Sequence, residues 1–295
     1  MKILLTGVSG YIGKNLLPRL LEKGHEVVAL VHQTKTIDLP ASVQVIEGDL
    51  LDAKSLGRIP TDIDAAYYLV HSMGYSQGNF AEMERLSAIN FQKRLSQTAA
   101  RQIIYLSGLA NEEPLSRHLA SRKQVDELLR QGSVPVTTLM AGIIIGDGSA
   151  SFQIIRDLVE KLPFMIAPKW VSNLTQPIAI QDVLDYLILV LDHPACFHKH
   201  FEIGGPDILS YKQLLLGYAE AKGLKRYIIS VPVFTPNLSS YWLYFITRAS
   251  YPLSRSLVES LKNNAICKEA RIRELFPKKL LSYKEAVHLV LEHHE

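Results

Sequence analysis

Three residues in one short stretch of the chain are of types that could move a proton and hold an oxygen atom. Ser107 ends the apolar run QIIYLSG, and His118 and Arg122 follow in SRHLASRKQ. Residues four apart in a helix share one face, so His118 and Arg122 can point at one site. Histidine titrates near neutral pH and can donate a proton, whereas arginine keeps its charge and can only bind oxygen atoms. The residue types allow His118 to act as a proton donor at such a site, and the alternative is an exposed His118 with an Arg122 that only binds cofactor.

The elements that must position these residues alternate along the first half of the chain. Six apolar runs, nearly continuous as in strands buried on both faces, predict strands at 2–7, 26–32, 43–49, 65–71, 102–108 and 135–142. Amphipathic stretches lie between several of them. The longest, 79–99, predicts a helix with Phe80, Met83, Ile89 and Leu95 on one face and with Glu82, Glu84 and Lys93 elsewhere. This alternation predicts an α/β fold with a Rossmann-type, doubly wound parallel sheet.

A glycine-rich turn lies between the first strand and the first helix. Gly7, Gly10 and Gly13 form G-x-x-G-x-x-G, and Gly24 closes the helix that follows. Small residues are needed where the chain turns tightly and a pyrophosphate approaches the backbone, and the helix N-terminus offers free N–H groups to that phosphate. In this strand–turn–helix context the pattern predicts dinucleotide binding.

The end of the second strand bears on which dinucleotide fits. An acidic residue there would bind ribose hydroxyls, whereas basic residues favour a 2′-phosphate. The chain has His32 and Lys35, with no acidic residue before Asp38, which favours NADP over NAD unless Lys35 is simply a solvated lysine. Asp49, after the third strand, either binds the edge of the adenine or is simply a helix cap.

After residue 146 the pattern changes. Helices are predicted within 149–163, 175–194, 209–223 and 281–294, the last two opening with a Ser and a Gln or Glu three residues later, as in a capping box. We therefore expect a dinucleotide-binding Rossmann domain over 1–146. Residues 147–295 would add returning strands and helices and a smaller mixed substrate lobe, intertwined with it as one compact unit.

Composition narrows the class of protein. The 295 residues carry a net charge of +3 and only two cysteines, Cys196 and Cys267, without metal-ligand spacing. A balanced charge without basic runs does not favour nucleic-acid binding. No signal peptide and no apolar stretch long enough for a membrane span are recognised, so we expect a cytoplasmic protein with free thiols and no metal.

Several further motifs are specific to one group of proteins. The chain resembles the extended or atypical short-chain dehydrogenase/reductases, in the branch of NmrA-like proteins and of the dehydrogenase-like accessory subunit of respiratory complex I. It is most similar to bacterial NAD(P)-binding proteins that share VHSMG, HLxxR, AGIIxGxGSAxF, DHP and LSYxQ, here 70–74, 118–122, 141–152, 192–194 and 209–213. The resemblance covers nearly the whole chain.

The resemblance implies a set of cofactor-binding residues. It implies pyrophosphate contacts from Gly7, Ser9, Gly10, Tyr11, Ile12 and Gly13. Around the rest of the cofactor it implies His32 and Lys35 near the adenosine ribose, Asp49 and Leu50 near adenine, and Val70, His71 and Ser72 at the nicotinamide ribose.

The catalytic pattern of the family is only partly kept. Ser107 stands where the family's serine polarises a carbonyl, but His118 and Arg122 stand where the family has Tyr and Lys. Lys123 and Tyr75 are weaker substitutes. We expect an NADP(H)-preferring reductase of a small apolar carbonyl or quinone. The alternative is a non-catalytic NAD(P)-binding sensor or assembly protein.

Three further expectations concern the second half and the assembly. Asp182 is expected to cap or anchor its helix rather than react. The stripe SYWLYFITR, 240–248, is expected to pack in a core, with a hydrophobic substrate, a quinone or a membrane surface as the alternative. The partner is expected to be a small molecule, and a homodimer is compatible with the family.

Overall fold

The computed structural model describes residues 1–32, 38–70, 80–109, 115–231 and 263–292. The chain packs as two compact units, each assembled from separate stretches. The first consists of 1–107, 121–139 and 184–201, and the second of 108–120, 140–183 and 202–295. The predicted domain boundary at residue 146 stays a prediction.

Thirteen strands lie in the described stretches. They are β1 Lys2–Thr6, β2 Glu26–Val31, β3 Gln44–Glu47, β4 Ala65–Tyr68, β5 Gln102–Gly108, β6 Val136–Ala141, β7 Ile144–Ile145, β8 Phe164–Pro168, β9 Leu174–Thr175, β10 Ile178–Ala179, β11 His200–Ile203, β12 Leu209–Ser210 and β13 Tyr227–Val231. Seven of them form one sheet in the order β11-β6-β5-β4-β1-β2-β3. Its β5-β4-β1-β2-β3 portion is parallel throughout. The six predicted strands are confirmed, several of them with shorter ends.

Eight α-helices accompany these strands in the described residues. They are α1 Tyr11–Glu22, α2 Phe80–Leu95, α3 Arg117–Leu129, α4 Ala150–Lys161, α5 Ile180–Leu189, α6 Tyr211–Ala221, α7 Arg271–Leu275 and α8 Tyr283–Glu292. None of them combines the length and the hydropathy that a bilayer span requires.

The sheet of the first unit is covered on both faces. On one face, Tyr68 and Tyr105 pack with Phe91 of α2 and Leu129 of α3 in one buried cluster. On the other face, the Tyr67 hydroxyl donates a hydrogen bond of 2.8 Å to the carbonyl oxygen of Leu187 in α5. Helices on both faces of a parallel sheet make a doubly wound α/β fold, so the predicted Rossmann-type class is confirmed.

The buried face of α2 is not the one predicted. Glu84 is buried, with an exposed fraction of only 6%, and it lies with Ala88 and Phe91 on the covered side of the helix, whereas Met83 and Ile89 are only half-buried. The prediction was wrong because it treated a carboxylate as solvent-facing. A buried carboxylate is tolerated when it is hydrogen-bonded, and Glu84 accepts a bond from Ser121 in α3.

The second unit has its own core. Phe152 of α4 meets Tyr218 of α6 edge-on, with ring centroids 5.6 Å apart, and Val287 of α8 completes the buried cluster. Three two-stranded sheets accompany these helices, pairing β7 with β10, β9 with β12 and β8 with β13. A smaller mixed lobe in the second half was expected from the sequence.

Both predicted capping boxes are present. Before α6, the Ser210 hydroxyl accepts from the Gln213 N–H at 3.2 Å, and the Gln213 side chain accepts from the Ser210 N–H at 2.7 Å. Before α8, Ser282 and Glu285 make the same reciprocal pair. The predicted anchoring role of Asp182 is also observed, because its carboxylate accepts from the Leu281 N–H and lies 2.9 Å from Lys278 Nζ.

Candidate functional site

The turn between β1 and α1 is shaped by its glycines. Gly7 has a φ of +68°, and a Cβ at this position would lie 2.5 Å from the carbonyl oxygen of Leu69. A Cβ at Gly13 would lie 2.2 Å from the carbonyl oxygen of Gly7. Both contacts are too short for any side chain, so the turn and the first helical residues pack against one another only as glycines.

The N-terminus of α1 is open to an anion. Gly10 precedes the helix, donates its N–H to the Gly7 carbonyl at 2.9 Å and has no side chain to cap the free N–H groups of the first turn. Tyr11, Ile12 and Gly13 supply no carboxylate to that turn, and Ser9 and Gly10 are exposed. Free N–H groups at the positive end of a helix dipole suit a phosphate. A pyrophosphate fits this turn.

The end of β2 carries a histidine beside a carboxylate. His32 Nε2 lies 3.4 Å from Asp49 Oδ2, and both side chains are substantially exposed. The other oxygen of Asp49 accepts from the Leu51 N–H at 2.8 Å, so Asp49 also caps the turn after β3. Leu50 is buried in the core, and its carbonyl oxygen accepts from the Asn90 amide. Lys35 lies outside the described residues.

Of the three residues predicted at the nicotinamide ribose, the structure describes only Val70. Val70 lies after β4, is half-buried and packs against the core of the first unit. His71 and Ser72 lie outside the described residues, as do Tyr75 and the stripe 240–248. The structure thus brings together the glycine turn and, separately, His32 with Asp49. The roles of all these residues toward a cofactor stay predictions.

Ser107 and Arg122 lie near each other in the first unit. Ser107 is the next-to-last residue of β5 and is buried, with an exposed fraction of 8%. Arg122, on α3, donates from Nη1 to the carbonyl oxygen of Leu106 at 2.7 Å, while its own carbonyl oxygen accepts a long bond from the Tyr105 hydroxyl. Arg122 therefore fixes α3 against the end of β5, a role that its spacing from His118 did not indicate.

Tyr105 is a site residue that the sequence interpretation missed. Burial raises the pKa of its phenol, and the charge of Arg122 and a contact with the Ser107 hydroxyl act against that rise. Tyr105 and Ser107 are two residues apart on a strand and so share one face. That alternation was the available signal, but the tyrosine was assigned to the core as part of an apolar run.

His118 lies in the second unit, in the wall of a cavity of about 170 Å³. The lining comes from the end of β5, the start of α3, the end of β6, α4, α6, the segment 170–175 and residue 265. It consists of Gly108, Leu109, His118, Leu119, Ala141, Gly142, Ile143, Ser151, Ile154, Ile155, Leu158, Trp170, Thr175, Tyr211, Leu215 and Ala265. His118 is the one histidine among these residues. The rest of the lining is mostly apolar, with Ser151, Thr175 and Tyr211 as further residues that carry a hydroxyl.

Two buried polar atoms of this wall lack a partner among the described residues. The indole N–H of Trp170 and the hydroxyl of Thr175 are both inaccessible to solvent and make no hydrogen bond there. The Tyr211 hydroxyl interacts with Thr175 without reaching hydrogen-bond geometry, and burial raises the pKa of Tyr211 to about 12. Buried donors are nearly always satisfied in folded proteins, so these two point to a missing acceptor.

The start of α3 packs closely on the end of β5 within the second unit. A Cβ at Gly108 would lie 2.9 Å from Leu119 Cδ2, so only a glycine lets the helix approach this closely without displacing Leu119. Leu109 continues the chain with its N–H on the Ala141 carbonyl at 2.9 Å. This packing carries His118 to the cavity wall.

Neither thiol nor metal chemistry is indicated. Cys196 and Cys267 are unpaired, and burial raises the pKa of Cys196 to about 11 and that of Cys267 to about 12, which makes both poor nucleophiles. Within the described ranges there is no group of three or more His, Cys, Asp or Glu side chains placed to hold a metal ion.

Comparison with protein families and with curated proteins matches the chain in part. Residues 3–104 match the NAD dependent epimerase/dehydratase family. An uncharacterized protein of Saccharomyces cerevisiae is 39% identical over 75 residues, which are 23% of this chain and 24% of the yeast protein. The chain thus spans about a quarter of that relative. An isoflavone reductase homolog of Zea mays is 23% identical over 227 residues, 72% of each chain.

Solved structures match the chain over its full length. A nucleoside-diphosphate-sugar epimerase of Staphylococcus aureus superposes with a TM-score of 0.78 at 14% identity, covering 98% of this chain and 100% of the other. A UDP-glucuronic acid 4-epimerase of Bacillus cereus, solved in complex with NAD, gives a TM-score of 0.72 at 16% identity over 99% and 96% of the two chains. Residues 3–104 therefore resemble the NAD dependent epimerase/dehydratase family, and the chain shares the Rossmann-like fold of the NAD-dependent epimerase structures.

Proposed function

We propose that the protein is an NADP(H)-preferring atypical short-chain reductase that reduces a small, apolar carbonyl compound or quinone. The observation that carries the proposal is the cavity of the second unit, whose mostly apolar lining includes His118 together with Trp170 and Thr175, two residues that each hold a buried donor without a partner among the described residues. An apolar ligand with one acceptor oxygen complements such a wall. A carbonyl compound has this chemistry.

The size of the cavity favours a small substrate. An apolar cavity of about 150 Å³ holds a molecule of roughly the size of benzene, so the present one suits a single ring or a short chain. Its described lining contains no Lys or Arg, which a diphosphate group would need. A nucleotide sugar, the substrate class named for two structural neighbours, therefore fits this cavity poorly, although the folds agree.

The glycine turn supports the cofactor part of the proposal. Gly7, Gly10 and Gly13 shape a turn that leaves the N-terminus of α1 open to a pyrophosphate. A preference for NADP rests on His32 and Lys35 and on the absence of an acidic residue directly after β2 in the sequence. A bound NADPH would supply the hydride that converts the carbonyl carbon to an alkoxide.

The side chains of the protein would bind the substrate oxygen and donate the proton that it takes up. Donors on Trp170 and Thr175 would hold the substrate oxygen, and a protonated His118 would transfer one proton to the alkoxide, giving the alcohol and NADP⁺. The assignment of Ser107 as the residue that polarises the carbonyl rests on its position in the family pattern alone, and Tyr105 would hold its hydroxyl. Arg122 would act chiefly by keeping the end of β5 in place, because its guanidinium binds the Leu106 carbonyl.

The first experiment is a titration of the purified protein with NADPH and, separately, NADH, followed by nicotinamide fluorescence. Tighter binding of NADPH supports the preference for NADP. Tighter binding of NADH contradicts this preference but not the proposed reductase activity. A panel of small aldehydes, ketones and quinones then tests turnover. Loss of activity in both Ser107→Ala and His118→Ala supports the mechanism, whereas activity that survives both substitutions contradicts it.

The alternative function is a dinucleotide-binding sensor or assembly protein without turnover. It is distinguished by tight NADPH binding with no oxidation of NADPH across the whole panel. The assignment to the NmrA-like branch, a cytoplasmic location and a homodimer stay predictions.

A further inference from the structure

The second unit exposes four large apolar side chains on one short ribbon. Strands β8 and β13 pair in parallel, and Phe164, Ile166, Tyr227 and Ile229 have exposed fractions of 69%, 56%, 57% and 63%. Single exposed apolar residues are common on soluble proteins, but contiguous groups mark interaction surfaces. We call these four residues the ribbon patch.

The register of the two strands makes the patch continuous. Tyr227 pairs with Phe164, and Ile229 pairs with Ile166. The two aromatic rings are stacked, with centroids 5.2 Å apart and planes 15° from parallel. The residues between them, Met165 and Ile228, are buried in the core of the unit. The ribbon is thus apolar on both faces, and one of these faces is turned to solvent.

Basic residues cluster at one end of the ribbon patch. Because the strands are parallel, the residues before Phe164 and those before Tyr227 lie at the same end, next to the stacked rings. Lys161 precedes the first strand, and Lys222, Lys225 and Arg226 precede the second. Two of these cations have a carboxylate partner among the described residues: Lys161 pairs with Asp157, and Lys222 pairs with Glu160. This end therefore carries four cations beside two carboxylates.

We propose that the ribbon patch docks on the surface of an anionic lipid bilayer. The aliphatic and aromatic side chains would enter the boundary between headgroups and acyl chains, where aromatic residues are favoured. The adjoining lysine side chains would contact lipid phosphates, whereas the Arg226 guanidinium binds backbone carbonyl oxygens and adds only its charge. An isologous contact between two copies would place the same basic end on both sides of the interface and supply no additional carboxylate for it, so a bilayer complements the patch better than a second copy does.

The position of the ribbon fits an apolar substrate. Met165 and Ala167, on the inner face of β8, belong to the same core as Ile155 and Leu158, which line the cavity. Only the thickness of this core separates the ribbon patch from residues of the cavity wall. A bilayer is where small apolar quinones dissolve, but the docking proposal stands on the ribbon patch alone and does not require reductase activity.

The test is sedimentation of the full-length protein with phosphatidylcholine vesicles and with vesicles containing 30% phosphatidylglycerol. We expect binding to the anionic vesicles that weakens as salt is raised. Ile166→Ser/Ile229→Ser and, separately, Lys225→Glu should each weaken it by about tenfold or more. The matched control is Ile208→Ser, because Ile208 is 50% exposed in the same unit but outside the ribbon. It should bind like the unchanged protein.

All the substituted side chains are exposed, so we expect the thermal unfolding temperature to be nearly unchanged in every variant. A loss of vesicle binding can then be distinguished from a loss of folding. Absence of binding to anionic vesicles, or equal binding by the ribbon variants and the control, would overturn the proposal. Self-association that is lost in Ile166→Ser/Ile229→Ser, measured by light scattering, would also overturn it and would assign the patch to a second copy. NADPH binding, measured on the same samples, should be unaffected.

Discussion

Arg122 holds the strand end that carries Ser107, through a 2.7 Å hydrogen bond from its Nη1 to the carbonyl oxygen of Leu106. A partly buried, charged donor of this kind contributes about 1.5–3 kcal/mol to stability. We expect Arg122→Ala to lower the free energy of unfolding by about that amount, measured by urea denaturation.

Arg122→Lys tests whether the stabilisation comes from the positive charge or from the geometry of the guanidinium donors. It keeps the charge but not the planar fork of donors, so we expect an intermediate loss of stability. Stability equal to that of the unchanged protein in Arg122→Ala would show that the contact with Leu106 is not structural. Arg122 would then be free for the cofactor-binding role that its place in the family pattern implies.

The exposed position of His32 at the end of β2 allows a test of cofactor preference. His32→Asp introduces a carboxylate that can accept from ribose hydroxyls and repels a 2′-phosphate. We expect the ratio of NADPH to NADH affinity to fall by about tenfold or more, measured by fluorescence titration. The control is His32→Asn, which has a similar size but no charge and should change the ratio little. An unchanged ratio in His32→Asp would contradict the placement of the adenosine ribose at this strand end.

The glycine turn, the individual strands and both capping boxes were predictable because each depends on residues close together in the chain. Gly7 and Gly13 stand in a fixed pattern, and Ser210 and Ser282 each precede their partner by three residues. Local signals of this kind do not depend on how distant segments pack.

The polar contacts of the site were not predictable, because they join residues that are far apart in the chain. Glu84 meets Ser121 across a helix pair, 37 residues apart in the chain, and no local pattern distinguishes it from the solvent-facing Glu82. Trp170 and Thr175 join His118 in one cavity only through tertiary packing. The sequence indicated a proton donor near Ser107 but not the donors that could hold the substrate oxygen.

Two fully buried threonines provide a test of the cavity that needs no substrate. The Thr175 hydroxyl has no hydrogen-bond partner among the described residues, whereas that of Thr137 donates to the Cys196 carbonyl at 2.7 Å and accepts from Gln102 at 2.8 Å. Thr→Val exchanges the hydroxyl for a methyl of similar size. We expect Thr175→Val to keep or slightly raise stability and Thr137→Val to lower it by about 1–3 kcal/mol.

The two threonine variants also test whether the cavity binds a small carbonyl ligand. Thr175→Val should weaken binding of a small carbonyl ligand, because it removes one of the two donors, and Thr137→Val should leave that binding unchanged. Calorimetry with any ligand found in the substrate panel gives the measurement. A loss of stability in Thr175→Val as large as that in Thr137→Val would mean that the Thr175 hydroxyl is satisfied within the protein, and the argument for an acceptor in the cavity would fail.

Asp126 gives the fold a defined response to acid. Burial alone would raise the pKa of this carboxyl, but hydrogen bonds from His200, Arg130 and Thr138 outweigh burial and hold it below its ordinary value. A group whose pKa is lower in the folded than in the unfolded state stabilises the fold above its unfolded pKa. That stability is lost as the pH falls through the lower, folded value. We therefore expect the contribution of Asp126 to be complete at neutral pH and to disappear below about pH 4.

Asp126→Asn isolates this contribution. The free energy of unfolding of the variant should lie below that of the unchanged protein by about 3 kcal/mol at pH 7, because three donors lose a charged acceptor in a buried site. The gap should narrow as the pH is lowered toward 3, since the unchanged protein then also carries a neutral side chain at this position. Asp62→Asn is the control, because its carboxylate is 69% exposed and pairs only at the surface with Lys2, so its gap should stay within about 1 kcal/mol at every pH. Urea denaturation from pH 7 to pH 3 measures both gaps, and a constant gap for Asp126→Asn would show that the lowered pKa does not contribute to the acid response.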